Sequence, residues 1–440
     1  MTNVPLRFDD VIDVARKTLG PYVDILPEGT LLNLDLSARV RLVVPSQEAG
    51  FDSIGLGLQS IAEELSDALY PNSFPADQMI LWEEDLELAR HGTHVFPLLD
   101  SSEKILVADR LIHGSSWSQI RAVSGGTPRL IFFSLKGGVG RSTALAALAW
   151  HLSSEGRRVL AVDLDLESPG ISTFLLPPEQ QPSAGLVDWL VEDLVDRGDD
   201  VLPDVYSLSP SAPGAEIIVV PAHGTEPGPY ISKLGRAWMA KGVGGDQERW
   251  EKRLDRLLTQ LEDEHQPDVV LIDSRSGLDD VASNAIAALG AQCVMLFATD
   301  DRQTWQGYGS LFRHWQATGV AKDVRERLHV VAALVPEEDP AGHMMRVRDA
   351  SLDLFERTLY DEVEGDQVTG EEDLFSFTRD DEAAPHFPWE VRWNRGLRSL
   401  RTLSASFDSM DDVGIEHVFG PLLAGVDELL RAIDDSRWSG

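Results

Sequence analysis

Three short stretches of this 440-residue chain carry residues whose types and order suit phosphate chemistry. The first is FFSLKGGVGRSTALAALAWHL, from Phe132 to Leu152. Gly137, Gly138 and Gly140 let the backbone turn sharply and aim its N–H groups, that of Val139 among them, into one concavity. The helix that follows opens with unsatisfied donors of its own, and together these make an anion site. Ser142 stands where a hydroxyl ligates Mg²⁺ in phosphate loops, and Thr143 can donate to another phosphate oxygen. The second stretch is VLAVDLDLESPG, with Asp163 and Asp165 at the end of an apolar strand, where open α/β sheets place their ligands. The third is DVVLIDSRSGLDD, in which four apolar residues end at Asp273, the spacing of an acid that holds Mg²⁺ through water. The three follow one another in the expected order. One residue departs from the pattern: Arg141 stands where such loops carry lysine. Arginine keeps the charge, but its planar, forked guanidinium makes the exchange a real change.

These residues need strands to carry them, and the pattern supplies strands from Arg129 onward. RLIFFS, RVLAVDLD, AEIIVVPA, DVVLID, QCVMLFA and LHVVAALV are apolar runs. Helical stretches separate them. STALAALAWHLSSEG has Leu145, Leu148, Ala149 and Leu152 on one face and Gly156 as its stop, and ERWEKRLDRLLTQLEDE is long and amphipathic. Near-continuous Val/Ile/Leu strands between helices predict a parallel sheet covered on both faces. The last helix, PLLAGVDELLRAIDD, is amphipathic but acidic, so packing on the domain is expected rather than membrane contact. Residues 361–384 are acidic and irregular and read as a solvated loop.

The region before this differs. Residues 1–125 read as a small α+β domain, with an amphipathic helix in FDDVIDVARKTL and a half-buried strand in ARVRLVVP, where Val40, Leu42 and Val44 share one face. FDSIGLGLQSIAEELSDAL is helical, with Leu56, Ile61, Leu65 and Leu69 on a broad face. MILWEE, HVFPLL and KILVAD are further strands. Asp109, Arg110 and His113 have no partners at catalytic spacing and read as structural. SSWSQIRAVSGGTPR has a linker's composition, and residues 126–440 form the second domain.

Composition narrows the function classes. The net charge of −35, from 73 acidic and 38 basic residues, opposes strong nonspecific binding to DNA or to anionic membranes. No apolar stretch approaches the roughly 18 residues of a membrane span, and the N-terminus lacks a signal peptide's apolar core. The single cysteine, Cys293, excludes an intrachain disulfide and a multi-cysteine metal site, and makes the cytoplasm the expected compartment. His151, Trp305, Trp315, Trp389 and Trp393 read as packing residues, and no Ser–His–Asp pattern or nucleophile elbow is visible.

KGGVGRST resembles the deviant Walker-A loop of the ParA/MinD-type ATPases of the SIMIBI class, and more narrowly a bacterial branch whose loop reads KGGVGR, often followed by a D-LE-PG sequence. DLDLESPG fits that. The resemblance covers residues 129–335 well and 385–435 more weakly. It implies a P-loop nucleotide-binding fold, ATP rather than GTP, Mg²⁺, an ATP-dependent homodimer and a protein partner it does not name. It also implies roles. Lys136 matches the signature lysine that reaches across a nucleotide-sandwich dimer, Asp165 the switch acid that positions the attacking water, and Asp273 the Walker-B acid. SRSGLDD corresponds to the second switch, ATDDRQTWQGY to a segment near the nucleotide and dimer face, and PWEVRWNRG to the late loop beside the base. Arg141 takes the place of the Walker-A lysine, so slow hydrolysis, or binding without hydrolysis, is expected. Arg275 in the second switch reads either as an extra phosphate cation or as a sheet-end salt bridge. The expected function is a Mg-ATP switch acting on a partner or on the N-terminal domain. The alternative is a non-hydrolysing adaptor in a signalling or defence operon.

Overall fold

The computed structural model describes residues 6–46, 51–90, 93, 95–99, 101–110, 117–242, 247–362, 374–394 and 412–438. His113, the side chain of Leu56 and residues 363–373 of the acidic stretch lie outside the described residues. The chain divides into two compact units, 1–116 and 117–440. Among the described residues no helix is long and apolar enough to cross a membrane.

The first unit is a mixed five-stranded sheet of β1 (Thr30–Leu34), β2 (Val40–Pro45), β3 (Ile80–Glu83), β4 (Val95–Leu99) and β5 (Ser102–Asp109), in the order β3-β2-β1-β5-β4. Helices α1 (Val11–Leu19) and α2 (Phe51–Leu69) supply Ala15, Leu19, Ile61 and Leu65 to a core shared with Leu32, Leu42 and Val107. Val40, Leu42 and Val44 are buried as their alternation predicts. Val43, between them, is buried too, because β2 is an inner strand with both neighbours in place. Arg110 donates to Asn33 (2.8 Å) and Thr93 (2.6 Å), so its role here is to fasten a strand end.

The second unit is an eight-stranded sheet of β6 (Arg129–Ser134), β7 (Val159–Asp163), β8 (Ser207–Leu208), β9 (Ile217–Val220), β10 (Val269–Asp273), β11 (Cys293–Ala298), β12 (Leu328–Val335) and β13 (Trp389–Arg392). The order is β13-β12-β11-β6-β10-β7-β9-β8, and every pairing is parallel except that of the short edge strand β8 with β9. The period-2 alternation divides each strand between two cores. Ile131, Phe133, Leu160, Val162, Val270 and Ile272 face one, closed by α4 (Trp250–His265), α5 (Asp280–Ala288), α6 (Arg302–Ala317) and α7 (Pro340–Thr358). Leu130, Phe132, Val159, Ala161, Val269 and Leu271 face the other, closed by α3 (Arg141–Ser154) and α8 (Asp412–Trp438). Helix α3 is buried nearly all round between the sheet and α8, which accounts for its alanine-rich sequence.

Three features differ from the sequence reading. Helix α8 begins at Asp412 and carries Pro421 inside it, because Ile415, Val418 and Phe419 continue the buried face across the proline. Residues 389–392 form strand β13 rather than loop, with Val391 buried and the register to β12 shifting between Ala332 and Val335. Residues 117–128 pack on the second unit: Trp117 lies against Phe133 and Trp315, and Ser124 N–H donates to Gly290 O.

Candidate functional site

Strand β6 ends at Ser134, and the chain turns through 135–140 into α3. The turn requires left-handed backbone at Gly138 (φ 76°) and Gly140 (φ 86°), which glycine adopts without a Cβ clash. Gly277 N–H donates to Ser134 O (2.9 Å), and Ser134 Oγ donates to Lys136 O (2.8 Å), so the loop is anchored on both sides. At the start of α3, a Cβ on Gly170 would stand 2.9 Å from Ser142 Oγ. The D-LE-PG segment therefore passes directly over Ser142, and glycine is what lets it pass.

The three acids converge because β10 lies between β6 and β7. Asp273 is in register with Asp163 across β10–β7 and with Phe132 across β10–β6. Each acid has its own work. Asp163 folds the segment after β7: its carboxylate accepts from the N–H groups of Asp165 (3.2 Å), Gly170 (3.0 Å) and Ile171 (3.2 Å). Asp165 accepts from Ser168 N–H (3.2 Å) and from Arg141. Arg141 uses all three guanidinium nitrogens: Nε donates to Asp273 Oδ1 (2.5 Å), one terminal nitrogen to Ser134 Oγ (2.7 Å), the other to Asp165 Oδ2 (3.1 Å). Burial together with the charge of Asp273 raises the Asp163 pKa well above the usual carboxylate value. Burial also raises that of Asp165, with Arg141 opposing. Burial works against the charge on Arg141, but Asp273, Asp165 and Asp163 together outweigh it and the guanidinium pKa is raised.

Lys136 is elsewhere. Its Nζ donates to Asp301 Oδ1 (2.6 Å), just past β11. Asp301 also caps α6, accepting from the N–H groups of Gln303 (3.0 Å) and Thr304 (3.1 Å). Burial pushes its pKa up, but the hydrogen bonds from Lys136, Thr299 and Thr304 prevail and hold it well below the usual carboxylate range. Arg275 lies on Glu167 (2.5 Å) and on Asp279 (2.9 Å), a salt bridge joining the segment after β7 to the one after β10.

Beside the loop opens a cleft of about 450 Å³. Gly138, Arg141 and Thr143 line its polar end, and Phe174, Leu334, Trp393 and Phe419 its apolar wall. Leu334 has φ 56°, a left-handed conformation rare for leucine, at the register shift of β12. A polar cradle continuous with an apolar slot of this size suits a phosphorylated ligand with a flat apolar group.

The residues also fit a divalent cation. Asp273 Oδ2 is buried with no hydrogen-bond partner, and the Ser142 hydroxyl lies at the mouth of α3. Among the described residues no group of three His, Cys, Asp or Glu side chains forms a metal cage. A small hard cation bound here takes its remaining ligands from phosphate and water, as Mg²⁺ commonly does.

The structure thus gathers Gly137 to Thr143, Asp165 and Asp273, and places Lys136 on a separate acid. Sequence reasoning reached Asp301 only as part of ATDDRQTWQGY and did not single it out, although its position as the cap of α6 directly after a strand was a signal. It also missed Phe174, Leu334 and Phe419, apolar residues with no local signature.

Comparison with known proteins identifies a family. The family described as the CobQ/CobB/MinD/ParA nucleotide binding domain matches residues 130–410, well over half of the chain. A putative replication protein A of Sinorhizobium fredii is 25% identical over 218 residues, covering 48% of this chain and 51% of that protein. The chain therefore spans about half the length of the curated relative it matches. Among solved structures, cobyrinic acid a,c-diamide synthase from Mycobacterium smegmatis with bound ADP and magnesium is 22% identical, with a TM-score of 0.37 over 54% of this chain and 85% of that one. The septum site-determining protein MinD from Pyrococcus horikoshii, complexed with Mg-ADP, is 18% identical, with a TM-score of 0.41 over 69% of this chain and 97% of that one.

Proposed function

The chain belongs to the CobQ/CobB/MinD/ParA nucleotide-binding family, and from that premise we propose that it is a Mg-ATP-binding, slowly hydrolysing switch that dimerises on nucleotide and regulates a partner protein or its own N-terminal unit. The observation that carries this reading is the convergence of the glycine loop, Asp165 and Asp273 at adjoining strand ends beside the 450 Å³ cleft. Phosphates take the N–H groups of 137–143, and the base takes the apolar slot at Leu334 and Trp393. Ser142 and Asp273 would hold the Mg²⁺, which would neutralise phosphate charge and so ease the approach of a nucleophile. Asp165 stands beside Asp273, suited to orient water. Lys136, on the rim, is the residue that reaches a second copy.

The test is calorimetric titration of Mg-ATP together with phosphate release, beside Asp273→Ala as a blank. Binding with turnover above the blank supports the switch. The buried engagement of Arg141 with two acids favours one other reading, an adaptor that binds nucleotide without hydrolysis. Saturable binding with no turnover above the blank selects it. No binding at millimolar Mg-ATP overturns both.

A further inference from the structure

We propose that Arg141 is a positioning residue for Asp165 and Asp273, and not a ligand of the nucleotide phosphates. This rests on the nucleotide-site reading and reassigns one residue within it. Three observations carry it. First, every nitrogen of the guanidinium already has a side-chain partner, on Asp273, Ser134 and Asp165. Second, the side chain is only 7% exposed, and drawing it toward phosphate would leave two buried carboxylates uncompensated. Third, Asp273 divides its two oxygens: Oδ1 takes Arg141, while Oδ2 is buried without a partner. The proposal assigns that second oxygen to a metal-bound water, which leaves the arginine pairing intact when a metal nucleotide binds.

The same geometry says why arginine stands here. A lysine's three donors share one nitrogen, whereas the guanidinium here sets a separate nitrogen on each of Ser134, Asp165 and Asp273. The fork ties the segment after β7 to the ends of β6 and β10 and fixes the direction in which Asp165 and Asp273 face. The phosphates are left to the backbone N–H groups, the cation and Lys136.

The experiment is a double-mutant cycle in affinity for Mg-ADP, read by calorimetry on the full chain with Arg141→Gln, Asp165→Asn and the double variant. ADP is chosen because its binding needs no attacking water. Arg141→Gln leaves its acids uncompensated beside the arriving phosphates. It is expected to weaken binding by roughly tenfold or more, the worth of a charge-assisted hydrogen bond. The double variant removes one of the two acids along with the base and is expected to bind several-fold more tightly than Arg141→Gln alone. A double variant as weak as Arg141→Gln alone overturns the proposal, because a missing phosphate contact is not restored by deleting an acid. A structure of the wild type with Mg-ADP gives a second decision, which stands even if Arg141→Gln does not fold. Nε still within about 3.2 Å of Asp273 Oδ1 supports the role, and a guanidinium seated on phosphate ends it. Failure of the wild type itself to bind Mg-ADP is a separate result, against the nucleotide site as a whole.

Discussion

Lys136 Nζ lies 2.6 Å from Oδ1 of Asp301, and Asp301 is at the same time the N-cap of α6. One carboxylate thus serves a fold-level task and holds the residue that the resemblance places in a dimer. The pair is about one-third exposed on each side, so its Coulomb energy is small. Lys136→Ala should change stability by less than about 1 kcal/mol. Asp301→Ala, which also removes the cap, should cost about 1–2 kcal/mol. Urea denaturation of both variants measures the order. If the proposed switch holds, light scattering with Mg-ATP should show a dimer for the wild type and a monomer for Lys136→Ala.

Asp273→Ala should abolish turnover above background and lower affinity for the metal nucleotide. It also leaves Arg141 on Asp165 alone in a buried place, and a loss of up to about 3 kcal/mol is expected. Chemical denaturation beside the turnover assay separates the two effects.

Gly170→Ala tests the close pass over Ser142. The added Cβ would stand 2.9 Å from Ser142 Oγ and 3.1 Å from Ser142 Cβ. The hydroxyl can rotate away, but the Cβ is fixed to α3, so the segment must lift. A destabilisation of about 1–3 kcal/mol is expected. Affinity for Mg-nucleotide should fall roughly tenfold, as when a charge-assisted contact is lost. Unchanged affinity would mean that Ser142 does not serve the metal.

His329 predicts an acid limb of stability. Its ring stacks on Trp389 at 3.6 Å, and its Nε2 is buried without a partner although the residue as a whole is only half-buried. Burial lowers its pKa to about 3 from 6.5, His386 adds to this, and a backbone hydrogen bond at Phe387 opposes it. The unfolded chain takes up a proton below pH 6.5 and the folded chain does not. Stability is therefore complete above 6.5 and falls as pH drops toward about 3. His329→Phe, which keeps the stack, should flatten that limb in denaturation curves between pH 4 and 7, a range inside the titration window.

Much of the site is written locally. An apolar run ending in Asp273, or a glycine triplet before Ser142, states in a few residues where a strand stops and what stands at its end. What is not local is not legible. That Arg141 bridges Ser134, Asp165 and Asp273 depends on β10 lying between β6 and β7, a fact of sheet order. Asp163 and Asp165 look alike in DLDLE, yet Asp163 takes the N–H groups of Gly170 and Ile171 and folds the segment, while Asp165, past the strand end, takes Arg141. Pro421 reads as a helix start, and only the burial of Ile415, Val418 and Phe419 before it shows that the helix passes through. Leu334 owes its place in the cleft to a register shift that no propensity foretells.

The sheet order also governs how the protein is made. Strand β6, which carries the phosphate loop, finds its two neighbours in β10 and β11, so residues 129–134 pair only with residues from 270 onward. On a ribosome the first unit can close on itself early, while RLIFFS emerges as a bare apolar strand and waits for more than half of its own domain. Non-local pairing of this kind is slow and exposes aggregation-prone surface in the interval. Nucleotide cannot shelter that nascent strand, because its cradle does not exist until the last of those partners has left the exit tunnel.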